Sequence, residues 1–150
     1  MRGHFAAVLM LGVLLFSLPV EAELPAGAIG QVKTLVSGAS VERAGKSEAA
    51  VLGAPVYEGD VVSTDASGSV GITFLDGTVL SLGTGSAMTI DAFVFEPQDK
   101  RLSFAAKFLK GTATYLSGRI AKLAPDQVDL ATPFTTIGIR ATRVLIKVAE

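Results

Sequence analysis

VGITFLDGTVLSL, residues 70–82, decides the fold class. Val70, Ile72 and Phe74 alternate with Gly71 and Thr73, the period of two expected of a strand with one face in a core. Leu80 and Leu82 resume the alternation beyond Asp76-Gly77. The connecting loop has two candidate lengths with opposite consequences. A two-residue Asp-Gly loop would pair Phe74 with Val79 and turn Leu80 and Leu82 to the opposite face. A three-residue loop, Leu75-Asp76-Gly77, pairs Ile72 with Leu80 and Val70 with Leu82. It also puts Gly77 at the left-handed position that such loops require. The segment therefore reads as a hairpin closed by three residues.

The rest of the chain follows the same plan. Glycines at 45, 53, 59, 68 and 77 divide the first half into pieces of six to nine residues. Alternation returns at Leu102, Phe104, Ala106 and Phe108, then slips phase around Leu109-Lys110-Gly111 before Ala113 and Tyr115. Short strands at this spacing imply an all-β fold, a single small domain of short antiparallel strands, sandwich or solenoid-like. No exact internal repeat is present, so a regular array is not implied. Gly118 to Ala124 has room for one helical turn, ended by Pro125, and Gln98–Arg101 reads as an exposed loop. Gly59, Asp60, Asp76 and Gly77 read as architectural turn positions. The aromatics Tyr57, Phe74, Phe93, Phe95, Phe104, Phe108, Tyr115 and Phe134 are expected to fill the core.

The amino-terminal residues stand outside this pattern. Met1-Arg2 precede an apolar or small run from Phe5 to Leu18, Pro19 breaks it, and Val20-Glu21-Ala22 ends in small residues. These features are those of a secretory signal peptide cleaved after Ala22, and the run falls short of the roughly 20 apolar residues of a spanning helix. The expectation is residues 1–22 as signal peptide, residues 23–150 as the domain, and a periplasmic or secreted location with no transmembrane span left after cleavage.

Of 13 Lys/Arg and 14 Asp/Glu, Arg2 and Glu21 belong to the leader, leaving 12 and 13. That balance gives no basic face for nucleic acid. There is no Cys or Trp, and the one His is His4. Without them the usual neutral-pH base, the thiolate nucleophile, the Ser-His-Asp triad and His/Cys zinc sites are closed. Carboxylates remain. Asp60, Asp65 and Asp76 fall near turns, but TDASGS (residues 64–69) lacks the ligand density and terminal Glu of a calcium loop. Glu58, Asp60, Asp91 and Glu96 propose no particular hydrolytic pair, and Ser117 with Lys122 is no better supported. The expectation is no enzyme, no cofactor and no metal.

TPFTTIGIRAT, residues 132–142, carries one arginine in an otherwise uncharged β-prone run. Ile137 and Ile139 are odd-numbered, whereas Val144, Ile146 and Val148 are even-numbered. One strand cannot hold both sets on one face, so a bulge or turn is expected at Arg140-Ala141-Thr142. The Arg143–Val148 segment then reads as a sheet edge.

Two motifs, GDVVSTDASGSVGITFLDGTVLSL at 59–82 and TPFTTIGIRAT some fifty residues later, resemble the FecR-type domain of bacterial envelope proteins. The family pattern has a G-D-x-aliphatic-x-T start, an F-x-D-G-T hairpin and a later T-P-x-(A/T)-T-I-G-I-R-G-T segment. Gly59 to Thr64, Phe74 to Thr78 and Thr132 to Thr142 correspond, within a likeness covering roughly residues 29–148. The resemblance implies an exported all-β domain. The family is known from membrane regulators of iron-siderophore uptake, with a cytoplasmic sigma-factor-controlling segment, one membrane helix and a periplasmic β region that senses a receptor. Here no length precedes Phe5 for a cytoplasmic segment, and none follows Glu150 for a receptor-contacting domain, so a stand-alone domain is expected.

The function expected is a non-enzymatic binding module for an envelope protein or glycan. The alternative is a soluble periplasmic sensor or regulatory subunit linked to a receptor or sigma-factor system. The partner-binding candidates are Thr132, Pro133, Gly138, Arg140 and Thr142, and a free edge strand would also permit self-association. Where the family has Gly, this chain has Ala141. A positive φ there would strain alanine and make Ala141→Gly stabilising by about 1 kcal/mol.

Overall fold

The structure is a computed structural model that describes residues 23–149, with Gly3 and Ser17. The expected signal peptide, residues 1–22, otherwise lies outside the described residues. Among the described residues no helix is long and apolar enough to cross a membrane.

Twelve strands form one continuous sheet that curls over a single core: β1 (Gly30–Val36), β2 (Ala39–Arg43), β3 (Lys46–Ala49), β4 (Pro55–Val56), β5 (Val61–Thr64), β6 (Ser69–Phe74), β7 (Val79–Leu82), β8 (Ala87–Glu96), β9 (Arg101–Leu116), β10 (Val128–Ala131), β11 (Thr136–Ile137) and β12 (Arg143–Val148). The main path runs β3-β2-β5-β8-β9-β7-β6-β1-β4. All pairings are antiparallel except β9 with β10, which is parallel. A parallel neighbour requires a crossover, and here it contains the short helix α1 (Arg119–Leu123) and a 3-10 turn at Pro125–Gln127.

The opening hairpin forms in the three-residue register. Val70 faces Leu82 and Ile72 faces Leu80. Phe74 N–H donates to Thr78 O at 2.8 Å, Gly77 N–H donates to Phe74 O at 3.0 Å, and Gly77 has φ +86°. Val70, Ile72, Phe74, Leu80 and Leu82 are all buried. Local register and core assignment thus agree, as expected when one face alone is apolar.

The sixteen-residue β9 joins the two arms of the sheet. Its first half pairs with β8, from Glu96 opposite Arg101 to Ala87 opposite Lys110. Its second half pairs with β7 and β12. Phe104, Ala106 and Phe108 point inward before the bend, and Ala113 and Tyr115 after it. Gly111 accommodates this change of phase at φ +82°, and a Cβ there would lie 2.6 Å from Ser86 Cα. Ser86 Oγ accepts Thr112 N–H at 2.9 Å, while Ser86 N–H donates to Thr64 Oγ1 at 2.9 Å. The corner is therefore closed by hydroxyls rather than left with open backbone groups.

Aromatic rings fill the space between the arms. Phe74 stacks on Phe93 at 5.5 Å between centroids and meets Phe104 edge-on at 5.1 Å, arrangements favoured by the ring quadrupoles. Phe108 and Tyr115 are buried as expected. Tyr57 and Phe95 are half-buried at the margin, under Arg43 and Arg119 at 4.4 and 5.0 Å. Phe134 corrects the core expectation: it is 78% exposed, because it sits in a turn and not on a strand face.

Two further expectations need adjustment. The break between the odd and even isoleucines covers residues 138–142, wider than the three residues expected, and Ile139 inside it is buried. Ala141 is not among the positive-φ residues; Ala44 and Lys100 are the non-glycine cases among the described residues. The strain proposed for Ala141 is absent.

Candidate functional site

Two buried aspartates hold turns of the sheet, and one of them also anchors α1. Asp60 follows Gly59 (φ +92°) in the turn that opens β5. Its side chain is fully buried and is gripped by Arg43, Nε to Oδ1 at 2.8 Å and Nη2 to Oδ2 at 2.7 Å. Tyr57 N–H adds a third bond to Oδ2 at 2.9 Å. A bidentate guanidinium suits a carboxylate withdrawn from water, and the bond to Asp60 raises the Arg43 pKa further.

Asp76 does more than shape its hairpin. Oδ1 accepts Thr78 N–H at 3.0 Å, and Oδ2 accepts the Thr78 hydroxyl at 2.8 Å. Oδ2 also accepts Ile120 N–H at 3.1 Å, while the Asp76 carbonyl accepts Arg119 N–H at 2.9 Å. One carboxylate therefore ties the β6–β7 loop to the first turn of α1 and satisfies an otherwise open helix N–H. Tyr115 lies in the same buried cluster with its hydroxyl lacking a well-formed hydrogen bond. Burial, and then the Asp76 carboxylate, push its pKa up to about 12, with the Thr78 hydroxyl acting against them.

The other acids singled out from the sequence have separate partners. Glu58 accepts Phe93 N–H at 3.2 Å, Asp91 accepts the Thr89 hydroxyl at 2.8 Å, and Glu96 pairs with Arg101 at 2.9 Å. The exposed Asp65 accepts Ser67 N–H and hydroxyl, which hold its carboxyl below the usual range. Among the described residues no group of three or more acids is placed to hold a metal ion.

The five partner-binding candidates fall in three places. Thr132 closes the four-residue turn between β10 and β11: its Oγ1 accepts Phe134 N–H at 3.2 Å and Thr135 N–H at 3.1 Å. Its own N–H donates to Thr135 O at 2.8 Å. This turn lifts Pro133 and Phe134 into solvent. Gly138 is exposed just past β11. Arg140 and Thr142 instead flank α1, lining with Ser117, Ala121 and Lys122 a shallow depression of about 290 Å³. The fold thus does not gather all five around one point. Phe134, expected from the sequence to fill the core, is the large apolar side chain this turn exposes; periodicity gives a residue between strands no face, so the sequence carried no sign of it.

A family model described as FecR protein matches residues 60–150, well over half of the chain. The chain belongs to the FecR family. The FecR match begins at Asp60 and takes in β5–β12, with Asp76, the Phe134 turn and the β12 edge. No curated protein and no solved structure matches the chain. β1–β4 precede the FecR-matched span yet complete both arms of the sheet, and Arg43, the partner of Asp60, comes from among them. FecR proteins form a regulatory, signalling family of the cell envelope.

Proposed function

We propose that this FecR-family chain is an exported, non-enzymatic module that binds an envelope protein or glycan through the Thr132–Thr142 segment. Phe134 carries the reading. A phenylalanine 78% exposed on a turn held by three hydrogen bonds loses little conformational freedom on binding and presents a large apolar anchor. Pro133 stiffens the approach, Gly138 leaves backbone accessible, and Arg140 with Thr142 supplies polar contacts along the same segment. Family membership favours a second, more specific version, in which the module is the soluble sensing subunit of a receptor or sigma-factor system.

The test is photo-crosslinking in the exporting cell with a benzophenone amino acid at position 134, and at Leu109 as a control on another surface. One envelope component captured at 134 and not at 109 supports the reading, and a receptor or anti-sigma partner selects its regulatory version. Identical capture at both positions, or none at 134, 133 and 140, overturns it. Phe134→Ala is expected to change stability by less than about 0.5 kcal/mol, as for an exposed site, while abolishing capture by the benzophenone amino acid placed at 133 or 140.

A further inference from the structure

β12 is an outermost strand. It pairs with β9 along its whole length, from Arg143 opposite Leu116 to Val148 opposite Gly111, and with no other strand among the described residues. Ser117 N–H donates to Thr142 O at 2.8 Å, which makes Thr142–Ser117 a hydrogen-bonded pair. Such pairs alternate along an antiparallel ladder. Thr142, Val144, Ile146 and Val148 therefore direct their main-chain groups to β9, while Arg143, Leu145 and Lys147 direct theirs to the open side. The side chains of these three residues are exposed, whereas Ile146 and Val148 are buried. Leu145 is 78% exposed beside a groove of about 470 Å³ shared with Ser81, Thr112 and Thr114.

Edges of this kind are normally blunted by Pro, bulges or coverage. β12 has no Pro and no register shift over its six residues. Its protection is two positive charges, each two residues from an apolar one. We propose that the free edge of β12 accepts an extended segment of another protein in which acidic residues flank an apolar residue at two-residue spacing. The carboxylates lie opposite Arg143 and Lys147, the apolar side chain lies opposite Leu145, and the open N–H and C=O groups complete a ladder.

The same charges disfavour a second copy of this chain. A twofold pairing centred on Leu145 sets Arg143 opposite Lys147 at both ends, and one centred on Ile146 sets Leu145 opposite Lys147. Like charges directly opposite repel; acidic residues at those positions attract. The edge lies beyond the Thr132–Thr142 surface, so Phe134→Ala leaves it intact and the two readings fail separately.

The experiment measures fluorescence anisotropy of a labelled Thr-Glu-Thr-Val-Thr-Glu-Thr peptide against the full chain as purified from the expressing cell. Its Lys-for-Glu counterpart is the control. The acidic peptide is expected to bind at least about tenfold tighter, since two cross-strand pairs change sign, and Arg143→Glu with Lys147→Glu inverts the order. Leu145→Pro removes an N–H aimed at the open side and none aimed at β9, a position where edge strands tolerate proline. It is expected to keep the thermal midpoint and lose the peptide. Bound peptide slows amide exchange at Arg143, Leu145 and Lys147. Equal binding of both peptides, or retained binding by the proline variant, overturns the proposal. A dimer in ultracentrifugation that Leu145→Pro dissolves also overturns it and assigns the edge to self-association.

Discussion

Raising the pH tests the buried cluster around Tyr115 directly. Its hydroxyl is fully buried without a well-formed hydrogen bond, and its pKa stands at about 12 against 10.0 for a free tyrosine. The folded state therefore keeps the proton longer than the unfolded state. Below pH 10 both states are protonated and the associated stability is fully present. Between 10 and 12 the unfolded chain ionises first and stability falls with rising pH. Two pH units at about 1.4 kcal/mol each give a total loss of about 2.7 kcal/mol, of which about 2 kcal/mol is lost by pH 11.5. Alkaline pH acts on the whole molecule, so the measurement is a difference: urea unfolding of the wild type and Tyr115→Phe at pH 9 and pH 11.5. The phenylalanine variant should gain about 2 kcal/mol on the wild type across that interval. At pH 9 it should be equal or slightly more stable, because it removes a buried hydroxyl that makes no good bond. A pH-independent difference would refute the argument. So would a loss above about 1 kcal/mol at pH 9, the net worth of a hydrogen bond the hydroxyl is argued not to make.

Three other substitutions test what holds the frame. Asp76→Asn keeps the shape but turns an amide NH2 toward at least one of the three donors that now meet carboxylate oxygens; it should cost about 2–4 kcal/mol in chemical denaturation. Arg43→Ala leaves Asp60 buried with only the Tyr57 N–H on its carboxylate. With Arg43 itself nearly half exposed, the cost should be about 2 kcal/mol, and Arg43→Lys should recover only part because the two-pronged contact is lost. Ala141→Gly, with no positive φ to relieve, should leave the unfolding midpoint unchanged or lower it, through greater freedom of the unfolded chain.

By itself the sequence determined what local periodicity and turn chemistry can determine. The apolar alternation in 70–82 left one register that keeps every large side chain on one face, and Gly77 at the loop made that register accessible. The phase slip near Gly111 and the break before Arg143 were legible for the same reason, since alternation is a property of neighbouring residues. The FecR-type motifs were readable because they are such turns. Tertiary structure decided what lies between distant segments. Nothing near Asp60 in the chain names Arg43 as its partner, and nothing near Asp76 names Ile120, forty-four positions away, because those pairs form only when the sheet curls. Periodicity likewise gave Phe134 no face. Its exposure follows from the β10–β11 turn standing clear of the core, and the open side of β12 follows from the order in which strands meet across β9. A sequence specifies which side of a strand is apolar; only the closed fold determines which apolar side chains and which backbone edges are left for another molecule.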